Sequence, residues 1–140
     1  MFLFIRHPQA IHNVGYKLSD TFQSTVDNDI TATGYMQADE LAALFKDWLD
    51  QSGKKVTRVI CSPMIRPMRA AHSVLKAIGY DGTVELNPRF RERYNGSPCN
   101  LGRPKSELLR FLKDNKGLLE HWDIDTSEMK DEIWYDTDIE

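Results

Sequence analysis

The sequence of 140 residues has few cysteines and no long apolar run, and each shortage excludes a class of protein. Its two cysteines, Cys61 and Cys99, have neither CxxC spacing nor a histidine cluster beside them. This argues against a zinc site or a disulfide framework and predicts two free thiols. The first apolar run, Met1 to Ile5, is broken by Arg6, so it is too short for a signal peptide or a membrane span. We therefore expect a cytoplasmic protein.

Internal repeats and low-complexity linkers are also absent, and the length fits one globular domain. Charge is divided unevenly along it. Residues 1–119 carry 17 Lys or Arg against 12 Asp or Glu, whereas residues 120–140 carry one Lys against nine acids. We therefore distinguish a basic body, 1–119, from an acidic C-terminal segment, 120–140. A basic body suits an anionic substrate, although ordinary surface lysines would give the same count.

Runs of β-forming residues alternate with amphipathic helical patterns along the body. The first run, Phe2 to Ile5, is continuously apolar, as a central strand would be. Helices are indicated by three-and-four spacing and by capping residues. The predicted elements are strands over 2–5, 56–60 and 83–86, helices from Thr31 to before Gly53, from after Pro63 to Gly79 and from Pro104 to about Asp114, and a surface loop over 14–29. This alternation favours an α/β fold with a mostly parallel sheet.

Arg6 and His7 directly follow the first predicted strand. In open α/β sheets ligands gather at the carboxyl ends of strands. An imidazole nitrogen can attack phosphorus to form a covalent intermediate, and an adjacent guanidinium can hold the phosphoryl oxygens. A two-residue motif in isolation, however, is better explained as a strand end beside a solvated arginine. The rest of the sequence must decide between these interpretations.

Four segments, the first of which contains Arg6 and His7, lie in order along residues 2–96. They are Phe4 to Asn13 (FIRHPQAIHN), Ile30 to Ala38 (ITATGYMQA), Val59 to Ala71 (VICSPMIRPMRAA), and Phe90 to Glu92 (FRE) followed by Gly96. In turn they resemble the RHG signature, the LTxxGxxQA segment, the SPLxRAxxTA segment and the LxE element of the histidine phosphatase superfamily. Members of this superfamily are also described as phosphoglycerate mutase-like. The resemblance implies a three-layer α/β/α sandwich with a mostly parallel sheet.

The resemblance also implies roles for five residues. His7 would be the phosphorylated nucleophile, and Arg6 and Arg66 would hold the phosphoryl oxygens. Glu92 would donate a proton to the leaving group, and Asn13 would bind substrate or brace the loop after His7. Phosphoryl transfer depends mainly on positive charge around the transferring oxygens. No cofactor is implied, and no metal is expected, since no Asp/His cluster at ligand spacing appears in the sequence.

Several of these residues also have a plainer interpretation. The plainer interpretation of Arg66 is a surface ion pair, and that of Glu92 is one charge among the arginines of residues 89–93. Gln37, on a predicted helix, is expected to make a supporting or capping hydrogen bond. Ser62 is expected to organise the turn before a helix, because nothing near it in sequence supplies a base for a nucleophile.

Two departures from the family pattern affect the expected activity. Pro8 stands where Gly is usual, which fixes φ and removes a backbone N–H that could face phosphate. The second catalytic histidine of the family, carried by a TH-G or SH-G element, has no counterpart, since His121 is the only histidine after Glu92 and no Gly follows it. The domain therefore looks C-terminally truncated beside the family. We expect weak turnover and an exposed sheet edge that a second copy or another partner covers.

Three functions remain open. The first is a phosphatase that acts on a phosphomonoester through a phosphohistidine, impaired by the missing part. The second is a non-catalytic module that binds a phosphate ligand or a partner, and the third, ranked lowest, is a phosphoglycerate mutase-type phosphotransferase. In each case the expected ligand is a phosphorylated small molecule or phosphate, not a nucleic acid or a membrane. The substrate itself is not predicted, because specificity in such a fold lies in its loops.

Overall fold

The computed structural model of the chain describes residues 1–15, 26–93 and 96–135. Its elements in chain order are α1 (Ile11–Gly15), α2 (Ala32–Ser52), β1 (Val59–Cys61), α3 (Ile65–Ile78), β2 (Val84–Leu86), α4 (Lys105–Asp114) and β3 (Ile124–Asp125), with short 3₁₀ helices at Pro88–Phe90 and Pro98–Asn100. None of the described helices combines the length and the apolar character that crossing a membrane requires.

The described strands form one parallel sheet in the order β1, β2, β3. Val59 aligns with Val84 across the first pair of strands, and Val84 aligns with Ile124 across the second. Parallel neighbours need a crossover connection, which contains α3 between β1 and β2 and α4 between β2 and β3. The long helix α2 packs against α3. The predicted α/β class with a parallel sheet is confirmed.

The long helices begin and end where their sequence signals predict. At the start of α2 the side chain of Thr31 accepts a hydrogen bond from the N–H of Gly34, and at its end Gly53 adopts a left-handed conformation with φ 66°. Gly79 ends α3 in the same conformation. The apolar faces and the strands enclose one core, which consists of Cys61, Ile65, Met68, Leu75, Val84, Leu86, Leu108, Leu118, Leu119 and Met129.

Both cysteines are free, as predicted, and both are buried. Burial raises the pKa of the Cys61 thiol to about 12. The pKa of Cys99 is also raised, chiefly by burial. Since the thiolate is the reactive form, both side chains act as small apolar groups.

The predicted strand over residues 2–5 is wrong. Residues 1–9 form neither a strand nor a helix, and Phe2 and Phe4 are 90% and 84% exposed. A strand exists only where its backbone N–H and C=O groups pair with a neighbouring strand. Within the described residues the sheet contains β1, β2 and β3 alone, and residues 1–5 pair with none of them. His7 consequently does not follow a central strand.

The described part of the acidic segment, residues 120–135, packs onto the body. Ile124 and Asp125 form β3, and Met129 is fully buried. The indole N–H of Trp122 donates to the carbonyl of Tyr80 at 2.7 Å. The apolar residues between the acids therefore join the sheet and core, while the carboxylates make the surface around them acidic.

Candidate active site

The site is built on the turn between β1 and α3. Ser62 is buried there, and its hydroxyl accepts a hydrogen bond from the N–H of Met64, which confirms the structural role predicted for it. The N–H of Ile65, the first residue of α3, donates to Oδ1 of Asp27 at 2.9 Å. Such acceptors satisfy N–H groups that have no partner within the helix. The turn thereby holds Arg66 in the first turn of α3.

Arg66 is only 1% exposed, which is rare for arginine. Its Nη1 donates to the carbonyl of Cys99 at 2.8 Å, and its Nη2 donates to Oδ1 of Asn100 at 3.3 Å. Its Nε has no hydrogen-bond partner among the described residues. A buried guanidinium at the start of a helix, whose dipole also favours negative charge, suits an anion. Arg66 is therefore not the surface residue that the plainer interpretation of the sequence supposed.

His7 is oriented by the residue that follows it. Its Nδ1 lies 2.7 Å from the carbonyl oxygen of Pro8. A carbonyl oxygen can only accept a hydrogen bond, so this contact requires the proton of the ring to be on Nδ1. In the neutral ring the lone pair then lies on Nε2, on the opposite side of the imidazole.

Oε2 of Glu92 lies close to both His7 and Arg66. It lies 4.0 Å from Nε2 of His7 and 3.8 Å from Nη2 of Arg66. These separations are longer than direct hydrogen bonds, and the Glu92 side chain is 50% exposed. The structure thus brings a histidine, an arginine and a glutamate from three distant parts of the chain to one place.

The pKa of His7 is lowered from its ordinary value of 6.5. Burial is the main cause, and the positive charges of Arg66 and Arg6 lower it further, whereas the hydrogen bond to Pro8 and the charge of Glu92 raise it. The ring is therefore uncharged at neutral pH. An uncharged imidazole is the form that can attack phosphorus.

Arg6 has different surroundings from Arg66. It is exposed, and its contribution to the pKa of His7 is the smallest of the causes. A solvated guanidinium is more weakly fixed than a buried one. Of the two predicted phosphate-binding arginines, Arg66 is therefore the one already held in place.

The loop after His7 is braced by two amide side chains. Oδ1 of Asn13 accepts a hydrogen bond from the N–H of Ala10 at 2.9 Å. Oε1 of Gln37 accepts from the N–H of Gln9 at 2.8 Å, which is the supporting hydrogen bond predicted for it. Asn13 thus has the bracing contact that was one of its two predicted roles.

A cavity of about 1120 Å³ opens beside these groups. His7, Arg66 and Glu92 line part of it, and residues 1–5 and 54–60 line another part. Binding pockets for small molecules usually occupy about 300–1,000 Å³. The cavity therefore slightly exceeds the usual range for such pockets.

Asp27 is a component of the site that sequence reasoning missed. It is 1% exposed with φ 46°, and it lies in the predicted loop over 14–29, of which residues 16–25 are outside the described part of the chain. Burial raises its pKa to about 6, against the opposing effects of the Ile65 N–H and of Arg66. Its partners follow it by about 40 residues in sequence, so no local pattern marks it.

A histidine, a buried arginine and a carboxyl group beside one cavity of an α/β domain suit the binding of a phosphoryl group. The sequence profile of the histidine phosphatase superfamily (branch 1) matches residues 2–137. The chain belongs to this superfamily, and the resemblance found in its motifs is confirmed. A search of curated proteins found no significant match. Superfamily membership supports a phosphatase or mutase type of function in general.

Proposed function

We propose that the chain is a phosphomonoesterase that passes the phosphoryl group through His7. The observation that carries the proposal is the position of Glu92, whose Oε2 lies 4.0 Å from Nε2 of His7 and 3.8 Å from Nη2 of Arg66. The hydrogen bond from Nδ1 to Pro8 leaves the lone pair on the nitrogen that faces Glu92. The proposed nucleophile, cation and acid therefore lie side by side at one end of the cavity.

The reaction has two steps. In the first, the lone pair of His7 Nε2 attacks phosphorus, the bond from phosphorus to the ester oxygen breaks, and that oxygen takes a proton from the Glu92 carboxyl group. In the second, a water molecule attacks phosphorus, the N–P bond breaks, and the Glu92 carboxylate takes the proton that the water loses. Arg66 offsets the charge of the phosphoryl oxygens throughout.

Capture of the intermediate tests this proposal. The chain is incubated with a labelled aryl phosphate and quenched, and the label on the protein is counted. We expect label that is stable to base and labile to acid, as a phosphohistidine is, and we expect His7→Ala to abolish it. His12→Ala is the matched control, because its ring centre lies 6.2 Å from that of His7. Label that persists in His7→Ala would contradict the proposal.

A non-catalytic phosphate-binding module is the second candidate, and the position of His121 favours it. The ring neighbours of His121 are His72 and Trp122, so it is not assigned to the His7 site. Removal of one preorganised group typically costs about 100-fold to 1,000-fold in rate. We therefore expect the chain to bind vanadate well even if it hydrolyses an aryl phosphate slowly. Family-level turnover by this chain would reject this candidate, and dependence on a bisphosphate primer would point to a mutase instead.

Turnover at His7 is expected to need no metal. His7 supplies the nucleophile, Arg66 the positive charge and Glu92 the proton, so the proposed mechanism needs no metal for any of these three roles. Hydrolysis of an aryl phosphate should therefore survive a strong chelator. Activity that appears only after a divalent metal is added would argue against the covalent histidine mechanism.

A further inference from the structure

A second cluster of histidines lies on another part of α3. His72 belongs to α3, and Glu120 and His121 belong to the segment that follows α4. One ligand atom from each of the three residues lies within 4.8 Å of the others. Their sequence separation of nearly 50 residues hides the cluster from any search for ligand spacing.

The separations within the cluster are close to those of a tetrahedral metal site. Nδ1 of His72 lies 3.7 Å from Oε2 of Glu120, and Nε2 of His121 lies 3.8 Å from Oε1 of Glu120. Ligands at about 2.0–2.1 Å from zinc, arranged as a tetrahedron, stand about 3.4 Å apart. The two histidines face different oxygens of Glu120, and one ligand atom of each residue lies within 4.8 Å of the others, so the side chains bind one ion once they rotate toward each other.

One ring nitrogen of His72 is buried without a hydrogen bond to any described residue. Its Nδ1 is inaccessible to solvent and has no hydrogen-bond partner among the described residues. A buried polar atom without a partner carries a desolvation cost, which a bound ion would remove. Glu120 is preorganised as well, because its Oε1 accepts a hydrogen bond from the N–H of Gly117 at 2.9 Å, and its Oε2 faces His72.

We propose that His72, Glu120 and His121 form a zinc site, separate from the His7 site. Two imidazoles and one carboxylate are a common ligand set for zinc, with water in the fourth position. The Nε2 side of His121 gives the ion an entry route, since that side chain is 61% exposed. Arg69 and Lys76, also on α3, are the nearby positive charges that oppose a cation, so one carboxylate makes a site of moderate affinity.

Zinc at this position would connect α3 to the segment that leads into β3. Trp122, which packs edge-on against both histidines, follows the ligands directly, and Ile124 begins β3 two residues later. The ion would therefore fasten the outer strand of the described sheet to a core helix. We assign it a structural role, because metal affinity that depends on the folded arrangement adds to the stability of the fold.

Titration of the metal-free chain with Zn²⁺ and with Co²⁺ tests the site. We expect one saturable zinc per chain, visible absorption bands of tetrahedral Co²⁺, and a rise in the melting temperature followed by circular dichroism. His121→Ala and Glu120→Gln should each weaken binding by about 10-fold or more, as loss of even an outer ligand contact does. Both should fold, because His121 is largely exposed and a Gln oxygen can still accept from Gly117.

The double variant His7→Ala with His12→Ala is the matched control, since it removes the other two of the four histidines. It should bind zinc as the parent chain does. Equal binding by the parent, His121→Ala and Glu120→Gln would overturn the proposal, and so would an absence of saturable binding. The outcome is distinguishable from that of the phosphatase test, because a chelator should lower the melting temperature without abolishing turnover at His7.

Discussion

At the scale of single residues, the pKa of His7 depends on burial and on nearby charges as well as on the hydrogen bond to Pro8. Its pKa is lowered by burial first and by the charge of Arg66 next among the lowering causes, while Arg6 has the smallest effect. The two arginines differ mainly in burial, since Arg66 is 1% exposed and Arg6 is on the surface. A charge acts more strongly where solvent does not screen it.

Arg66→Met should raise the pKa of His7 part of the way back toward 6.5. The positive charge that disfavours the imidazolium is removed, whereas burial, the larger cause, remains. Titration of the His7 ring by NMR measures the change. Arg6→Met is the control and should give a smaller rise. A larger rise for Arg6→Met, or a parent His7 that titrates above 6.5, would contradict the assignment of causes.

At the scale of elements, the first turn of α3 is held by an acid from an earlier segment. Asp27 accepts from the N–H of Ile65, but its Oδ2 has no hydrogen-bond partner among the described residues, and Nε of Arg103 is 3.7 Å away. An ionised carboxylate that is buried with incomplete pairing costs stability. The cap therefore fixes the helix and destabilises the fold at the same time.

Asp27→Asn should stabilise the chain at neutral pH by on the order of 2 kcal/mol and leave it nearly unchanged near pH 4. The folded pKa of about 6 lies above the ordinary value of 3.8. A group with a raised pKa contributes most below its unfolded pKa, and that contribution is lost as the pH rises through the folded pKa. Asn keeps the oxygen that accepts from Ile65 and tolerates positive φ. Urea unfolding across this pH range measures the effect.

The same substitution two residues later should have the opposite sign. Oδ1 and Oδ2 of Asp29 accept from Nε and Nη2 of Arg69 at 3.0 and 2.8 Å. Asp29→Asn removes the charge that compensates a largely buried guanidinium, and we expect a loss of about 1–3 kcal/mol at neutral pH. Destabilisation by Asp27→Asn would contradict the cost assigned to its buried charge. Stabilisation by Asp29→Asn would contradict the stabilising role assigned to its pair with Arg69.

The sequence predicted correctly those elements whose formation depends on neighbouring residues, and it failed for two segments in which a strand depends on a distant pairing partner. Helices α2, α3 and α4 were predicted because apolar spacing and end residues such as Thr31 and Gly79 act within a few positions. The strand over 2–5 was wrong, since an apolar run does not reveal whether a pairing partner exists. Strand β3 was missed because two residues inside an acidic segment carry no periodic pattern.

The site divides in the same way. The motifs pointed to His7, Arg66 and Glu92, and the structure brings these side chains together. Asp27 and the Cys99 carbonyl that holds Arg66 were missed. Asp27 contacts the start of a helix 38 residues later in the sequence. Cys99 binds Arg66 through its backbone carbonyl, which every residue type has. Neither contact can be recognised from the local sequence.

At the scale of the whole molecule, the sheet ends at β1 within the described residues. One side of β1 pairs with β2, and the cavity of about 1120 Å³ lies between β1 and residues 1–5. An edge strand next to exposed apolar side chains is a template for association. We therefore propose that a second copy or another partner covers this face.

Phe2→Ser with Phe4→Ser should reduce self-association of the purified chain. These side chains are 90% and 84% exposed, and burying them against a second copy would remove apolar surface from water. Light scattering over a range of concentrations measures the mass. The matched control is Met36→Ser with Leu44→Ser on α2, where the exposed fractions are 65% and 68%. A parent chain that stays monomeric at high concentration, or an equal effect of the control, would count against association through this face.

The exposed N-terminal segment also changes how unfolding must be followed. Dyes that fluoresce on apolar surface ordinarily report a loss of tertiary packing, because native proteins offer them few places to bind. Here Phe2 and Phe4 lie beside a large cavity in the folded state. A dye should therefore be bright before heating begins and dim as the cavity is lost, so that a native sample looks unfolded to that assay. The amide circular dichroism of α2 and α3 is free of this artefact.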